Sequence, residues 1–283
     1  MSTQYVPVQW TARKIFYDAI VVVAVAIYIV LFGVVTRWLH SGDGVLTGQI
    51  VSMRAWGSCA FLMLTLILCI GPLARLSPKF IPLLYNRRHF GVLMFFVAAM
   101  HANTVLGYYY SYTGDLDRVS ALFLSDNEFT GASWPFPLFG LAALLYLAVM
   151  AATSHDFWQK TIGPAAWKTL HMGVYGVFAL AVLHVAFGLM KSEPHPMNAA
   201  LVFGSVVLVG GLHLFAARRS SACERQGVAW VELDGERYVD AGRPQDIPEG
   251  RARALCIPGH ERIAVVRWEG KVAALHGHCA HQN

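Results

Sequence analysis

Charged residues are scarce in this chain of 283 residues. They make up 14% of the sequence, against 56% hydrophobic residues, and the mean hydropathy is +0.47. Soluble domains carry about 25% charged residues, so the composition excludes an ordinary soluble protein and predicts a polytopic membrane protein. The formal net charge is +5. Because the basic residues lie in short runs between apolar stretches, they favour membrane-flanking loops over a nucleic-acid surface.

Cysteine is also sparse. Two of the five cysteines, Cys59 and Cys69, lie in an apolar run, and the other three, Cys223, Cys256 and Cys279, lie in the polar tail. This distribution excludes a paired extracellular disulfide framework and indicates a reduced, cytosolic tail.

Six apolar segments approach or exceed the length of about 20 residues that crosses a bilayer. They cover residues 19–35, 55–74, 90–110, 134–153, 170–190 and 198–217. Most of the basic residues near these segments fall on the side that carries both termini. The positive-inside rule therefore predicts a multi-pass protein of the inner (plasma) membrane with both termini in the cytoplasm. No internal repeat is apparent.

Beyond residue 219 the sequence changes from apolar runs to strand-like alternation. Residues 262–268 alternate in this way, and a turn at Glu269 and Gly270 leads to a second strand from Lys271. The predicted fold is thus an all-α six-helix transmembrane bundle followed by a small, truncated β domain in the cytosol. The predicted boundaries are a cytosolic segment at 1–18, the bundle at 19–217 and the β domain at 220–283.

Two histidines stand in the middle of apolar segments. His101 lies half-way along the third segment and His184 half-way along the fifth. Odd-numbered helices of a bundle run in the same direction, so these side chains can face each other at similar depth. Two neutral imidazoles in this arrangement suit the axial positions of a b-type haem. The alternative is a pair of buried histidines that bond to neighbouring helices.

A second pair of histidines lies nearer the cytoplasmic face. His89 precedes His101 by twelve residues and His171 precedes His184 by thirteen, which corresponds to a helical rise of about 18 to 19 Å. Two stacked haems at this separation would form a path for electrons across the membrane.

These residues occur in two longer motifs. The stretches NRRHFGVLMFFVAAMHA and ATSHDFWQKTIGPAAWKTLHMGVYGVFALAVLHVAF resemble the ferric-reductase-like transmembrane domain, and above all the haem-binding membrane subunits of bacterial periplasmic methionine sulfoxide reductase systems. The resemblance covers about residues 55–190. It implies an oxidoreductase that binds one or two b-type haems through His101, His171 and His184. The spacing from His89 to His101 is shorter than in ferric reductases, and His213 is an alternative inner ligand.

The end of the sequence carries a different motif. From Tyr238 onward the tail resembles the first two-thirds of a Rieske ferredoxin, and Cys279 and His281 match half of a Rieske 2Fe–2S site. A longer protein is expected to supply Cys-x-x-His next, and it could continue into a module that binds FAD and NAD(P)H. Two alternatives use other neighbouring residues: a zinc site of His276, His278, Cys279 and His281, or a second pair from Cys256 and His260.

The expected function is transmembrane electron transfer from a cytosolic reductant to an acceptor on the outer side. The expected electron donor is a flavin reductase or a quinol. The expected surroundings are the lipid bilayer, and nucleic acid is not an expected partner. No residue is assigned a catalytic role. Three alternatives remain open: a quinol-fed haem subunit of a periplasmic reductase system, a haem-based redox sensor and a membrane scaffold without cofactor.

Overall fold

The computed structural model describes residues 12–39, 46–113, 136–188, 190, 196–225, 228–257 and 263–276. The chain divides into two compact units, Met1–Leu212 and His213–Asn283. The first unit is helical. Its helices are α1 (Ala12–Leu39), α2 (Gly48–Leu76), α3 (Ile81–Tyr85), α4 (Arg87–Thr113), α5 (Phe136–Ala152), α6 (Asp156–Ile162), α7 (Pro164–Met172), α8 (Val174–Phe187) and α9 (Pro196–Arg225), which continues into the second unit.

Five helical stretches are long and apolar enough to span a membrane. They correspond to α1, α2, most of α4, the pair α7 and α8, and most of α9. The fourth predicted segment differs, because α5 has only 17 residues and the chain then bends by 90° into α6. Counting this bent pair as one span gives up to six. The structure thus supports a multi-pass membrane protein with five to six spans, in agreement with the hydropathy pattern.

The helix α2 forms the centre of the bundle and contributes the largest set of buried side chains in the described residues. It packs against α1 and α4, while α5 packs against α8. Contacts of α4 with α5 and of α2 with α8 join the two pairs. A single apolar cluster runs through these helices and includes Phe61, which stacks on Phe178. In contrast, α1 buries none of its residues and exposes apolar side chains such as Val34, as a lipid-facing helix does.

The span that contains two of the candidate histidines is interrupted at Gly173. This residue separates α7 from α8, and its N–H bonds to the carbonyl of Leu170 rather than to the i−4 carbonyl. The hydroxyl of Tyr146 donates to the same Leu170 carbonyl at 3.0 Å. A Cβ atom at Gly173 would overlap the Tyr146 hydroxyl. Only glycine therefore leaves room for the tyrosine at this break.

The second unit contains the small β region that the sequence predicts. Its strands are β1 (Trp230–Leu233), β2 (Glu236–Val239), β3 (Ala252–Leu255), β4 (Ile263–Trp268) and β5 (Lys271–His276). The strands β1 and β2 form one antiparallel hairpin, and β3, β4 and β5 form a three-stranded antiparallel sheet. Ile247, Leu255 and Val265 form its core.

Both hairpins of this unit close through two-residue turns. Asp234 and Gly235 join β1 to β2, and Glu269 and Gly270 join β4 to β5. All four residues have positive φ angles, between 50° and 79°, as type I′ turns require. The turn that the sequence predicts at Glu269 and Gly270 is therefore confirmed.

Candidate functional site

The structure brings His101 of α4 and His184 of α8 together. Their ring centroids lie 6.2 Å apart and their ring planes differ by 74°. A metal ion between two imidazole nitrogens needs two bonds of about 2 Å, and adding the distance from each nitrogen to its ring centre gives roughly 6 Å. The separation therefore fits one iron ion held between the two side chains.

Each of these imidazoles is anchored through Nδ1. The Nδ1 atom of His101 donates to the backbone carbonyl of Met53 at 2.9 Å, and that of His184 donates to the carbonyl of Phe136 at 3.0 Å. A carbonyl oxygen only accepts hydrogen bonds, so the proton is on Nδ1 and the Nε2 atom keeps its lone pair. A histidine that binds a metal through one nitrogen is normally fixed in this way through the other.

The side chain of His171 lies near the end of α7 against Trp167. The two rings stack with centroids 3.9 Å apart, and the His171 Nδ1 atom donates to the Trp167 carbonyl at 3.0 Å. The Trp167 Nε1 atom donates to the carbonyl of Thr153 at 2.8 Å, which fixes the indole. The Nε2 atom of His171 is buried and makes no hydrogen bond of standard geometry in the described residues, while the ring also interacts with the backbone of Met150. With the proton on Nδ1, this atom keeps its lone pair and fits an iron ligand.

The fourth candidate, His89, bonds to the first helix. Its Nδ1 atom lies 2.8 Å from Oδ2 of Asp18 on α1, and the second oxygen of that carboxylate is buried without a hydrogen-bond partner in the described structure. The sequence pairs His89 with His171. The structure gives each of these side chains a partner of its own, Asp18 for His89 and Trp167 for His171.

A cationic side chain stands beside this second pair. Arg88 forms an ion pair with Asp156 and donates to the Gln159 side chain at 2.9 Å. Its guanidinium also lies 4.7 Å from the centre of the Trp167 ring. Both acceptors belong to α6, so Arg88 ties the start of α4 to the bent segment and to the stack that holds His171.

The iron–sulfur candidates lie outside the described residues. This applies to Cys279 and His281 and to the alternative ligands His278 and His260, and the side chain of His276 is likewise not described. Cys256 is described and is buried. Within the described ranges no group of three or more His, Cys, Asp or Glu residues is placed to hold a metal ion.

Several residues at the site were not predicted from the sequence. Asp18 precedes the first apolar segment and reads as a loop residue, and Trp167 reads as part of a motif without an assigned contact. Gly57 and Gly140 stand in apolar runs, where glycine is common for helix packing. In the structure each of these two glycines faces an imidazole of the central pair. In the sequence, this role was indicated only by the equal number of positions between each glycine and its histidine.

Comparison with known proteins identifies the family. The ferric reductase like transmembrane component matches residues 54–182. The protein-methionine-sulfoxide reductase heme-binding subunit MsrQ of Bordetella pertussis is 31% identical over 194 residues, which cover 68% of this chain and 85% of that protein. The chain belongs to the ferric-reductase-like family that contains MsrQ.

Other relatives match over shorter stretches. MsrQ of Deinococcus radiodurans is 30% identical over 159 residues, covering 54% of this chain and 69% of that protein. The magnetosome protein MamZ of Magnetospirillum gryphiswaldense is 34% identical over 151 residues, covering 53% of this chain and 22% of MamZ. The family match includes His89, His101 and His171 and stops just before His184.

Proposed function

We propose that this protein is a membrane subunit that binds b-type haem and carries electrons across the bilayer. One observation carries the proposal: His101 and His184 face each other at 6.2 Å, and each donates its Nδ1 proton to a backbone carbonyl. Both Nε2 atoms are thereby left as ligands. The names of the MsrQ relatives, which are heme-binding subunits, support the same cofactor.

The residues around the site have three tasks. His101 and His184 hold the metal as neutral imidazoles, the carbonyls of Met53 and Phe136 fix their orientation, and the apolar cluster of α2, α4, α5 and α8 keeps water away. Bound haem would supply a one-electron Fe(III)/Fe(II) couple. With His101 and His184 both bound to the iron, a haem held here would have no coordination position open for a substrate or a gas. The chain therefore transfers electrons and needs no catalytic side chain of its own.

We place a second, inner haem at His171. Its buried Nε2 atom, which keeps its lone pair, supports this assignment. His89 is the proposed opposite ligand, because a carboxylate on its Nδ1 atom is a frequent partner of metal-bound histidine. His213 is the alternative opposite ligand. Without either residue the protein would carry the outer haem alone.

The name of the relatives supports a proposal for the acceptor. MsrQ is by name a subunit of a methionine sulfoxide reductase, so a separate reductase on the outer side is the favoured acceptor. The electrons then come from a cytosolic flavin reductase or from a membrane quinol. Both termini lie in the cytoplasm in this proposal, since the basic residues flank the spans on that side.

We propose further that the C-terminal unit carries half of the ligand set of a Rieske-type cluster. The antiparallel sheet β3–β5 leads directly to the Cys-x-His motif of Cys279 and His281. In a complete Rieske domain a second motif would add two ligands for a 2Fe–2S cluster, which would pass electrons to the inner haem.

The test uses the full chain purified from membranes in detergent. Pyridine haemochrome analysis gives the haem content, and we expect haem b in the wild-type protein. We expect His101→Ala and His184→Ala each to remove the outer haem and its low-spin electron paramagnetic resonance (EPR) signal. His155→Ala is the matched control, because the exposed His155 caps α6 away from the central pair. Wild-type protein without haem, or unchanged spectra in both variants, contradicts the proposal.

A further inference from the structure

The two imidazoles of the central pair are held by the same local arrangement. His101 donates to the Met53 carbonyl, and His184 donates to the Phe136 carbonyl. In both cases the carbonyl lies 48 positions before the histidine. One helical turn after each carbonyl stands a glycine, Gly57 in α2 and Gly140 in α5.

The glycines lie directly against the imidazole rings. A Cβ atom built on Gly57 would lie 2.9 Å from Nδ1 and Cε1 of His101, and one built on Gly140 would lie 2.8 Å from the same atoms of His184. Separations below 3.0 Å are essentially never seen for real Cβ atoms. Any other residue at either position must therefore displace the imidazole, which is tied down at the same edge by its hydrogen bond.

Helix geometry explains why the glycine stands one turn after the carbonyl. In an α-helix the carbonyl of residue i accepts the N–H of residue i+4, which leaves its second lone pair for another donor. The Cβ atom of residue i+4 points back toward the N-terminus of the helix, over that carbonyl. At Met53 and Phe136, the glycine at i+4 leaves the second lone pair of the carbonyl open to a histidine from a neighbouring helix.

The arrangement belongs to a wider correspondence between the two helix pairs. When the residue numbers of α2 and α4 are shifted by one constant number of positions, the two helices align with α5 and α8. Identical residues at this offset are Gly57 and Gly140, Ala60 and Ala143, Leu62 and Leu145, Leu64 and Leu147, Phe95 and Phe178, Ala98 and Ala181, and His101 and His184. Two pairs at this offset are also alike in burial: Leu64 and Leu147 are both buried, as are Met94 and Val177.

We infer that Gly57 and Gly140 are positioning residues of the outer haem site, and that the two helix pairs supply equivalent half-sites. The inference rests on the proposed function, in which His101 and His184 bind the iron. Each glycine opens a backbone carbonyl to the Nδ1 atom of its histidine and thereby fixes the direction of the Nε2 atom. Losing this support at either half-site weakens or reorients one of the two axial bonds.

The experiment compares Gly57→Ala, Gly140→Ala and Gly204→Ala in the purified haem-loaded protein. Gly204 is the matched control, because it lies in the apolar helix α9 and a Cβ atom there meets nothing within 4 Å. Three quantities are measured: haem content, the EPR g values of the low-spin haem and its midpoint potential. The inner haem serves as an internal test of folding.

We expect both substitutions at the site to shift the g values and the potential of the outer haem. Haem affinity should fall by about 10- to 100-fold, as for other changes to the groups that orient metal ligands. The inner haem and the Gly204→Ala protein should match the wild type. Unchanged outer-haem spectra in both variants, an effect of one glycine alone, or joint loss of both haems overturns the inference. Wild-type-like spectra of His101→Ala and His184→Ala would instead overturn the proposed function.

Discussion

The carboxylate of Asp18 on α1 lies 2.8 Å from the Nδ1 atom of His89 on α4. The two imidazoles of the central pair donate to neutral backbone carbonyls, whereas His89 has a charged partner. A carboxylate raises the basicity of a metal-bound imidazole. If His89 binds the inner haem, this partner lowers the midpoint potential of the inner haem relative to the outer one. That order of potentials favours electron flow from the cytoplasmic side outward.

The first prediction concerns this carboxylate. We expect Asp18→Asn to raise the midpoint potential of the inner haem and to weaken its binding by about 10- to 100-fold, with the outer haem unchanged. Potentiometric titration followed by optical spectra measures both values. Asp156→Asn is the control, because Asp156 pairs with Arg88 and not with a candidate ligand. An unchanged inner-haem potential in Asp18→Asn would show that His89 is not an inner ligand.

The second prediction separates the two haems. We expect His171→Ala to remove the inner haem, because the buried Nε2 atom of His171 keeps its lone pair for the iron, while the outer haem stays. The haem-to-protein ratio then falls to one. Trp167→Phe keeps an aromatic ring for stacking and loses only the hydrogen bond to Thr153, so it should retain both haems. A single haem in the wild-type protein that survives His171→Ala refutes the inner site.

The third prediction concerns orientation. Ten basic residues flank the proposed cytoplasmic ends of the spans: Arg13, Lys14, Arg75, Lys79, Arg87, Arg88, Lys160, Lys168, Arg218 and Arg219. We therefore expect the segment after Arg219 to lie in the cytoplasm. A fluorescent protein that matures only in the cytoplasm should be active when it is fused after Arg219. Alkaline phosphatase at the same position should be inactive. Phosphatase activity at this position would show that the segment after Arg219 lies outside the cytoplasm.

The fourth prediction concerns the iron–sulfur motif. The two irons of a Rieske cluster take four protein ligands, of which Cys279 and His281 would supply two in this proposal. We expect the 283-residue polypeptide to give no Rieske EPR signal after reduction. A longer polypeptide that adds the Cys-x-x-His motif of a Rieske protein should give the signal, and Cys279→Ser in that polypeptide should abolish it. A Rieske signal from the 283-residue polypeptide itself would contradict the assignment of these ligands.

The fifth prediction tests the hairpin of the C-terminal unit. Gly270 has a φ angle of 73° in the turn between β4 and β5, and this left-handed conformation costs another residue about 1–2 kcal/mol. We expect Gly270→Ala to reduce the protection of the β4 and β5 amides in hydrogen exchange, with the membrane helices unaffected. Equal protection in Gly270→Ala and wild-type protein would exclude this turn conformation.

The sequence predicted the membrane spans and the β region well because both depend on local pattern. Hydropathy locates apolar helices, and alternation with a two-residue turn locates β4 and β5. The same signals could not show the 90° bend after Ala152 or the interruption at Gly173. Hydropathy averages over a window and does not register where backbone hydrogen bonds change partner.

Within the site, the sequence predicted only those residues whose type is unusual for their depth in an apolar segment. A histidine within an apolar helix is unusual enough to identify His101 and His184, although the structure places His184 in the last turn of α8 and not half-way along its span. The partner of His89 was not predictable, because Asp18 lies on another helix at a distance of 71 positions. The role of Gly57 and Gly140 was not predictable either. The match between the two helix pairs rests on few identical residues and gives no repeat in hydropathy.

The break at Gly173 has a mechanical consequence. The glycine interrupts the regular i−4 hydrogen bonding between the two histidines, while the stretch from Pro164 to Phe187 still forms one candidate membrane span. The Tyr146 hydroxyl occupies the space of a Cβ atom there and donates to the Leu170 carbonyl, next to His171. A substitution that moved Tyr146 would therefore change the position of His171 more than that of His184, and with it the separation of the two proposed haems.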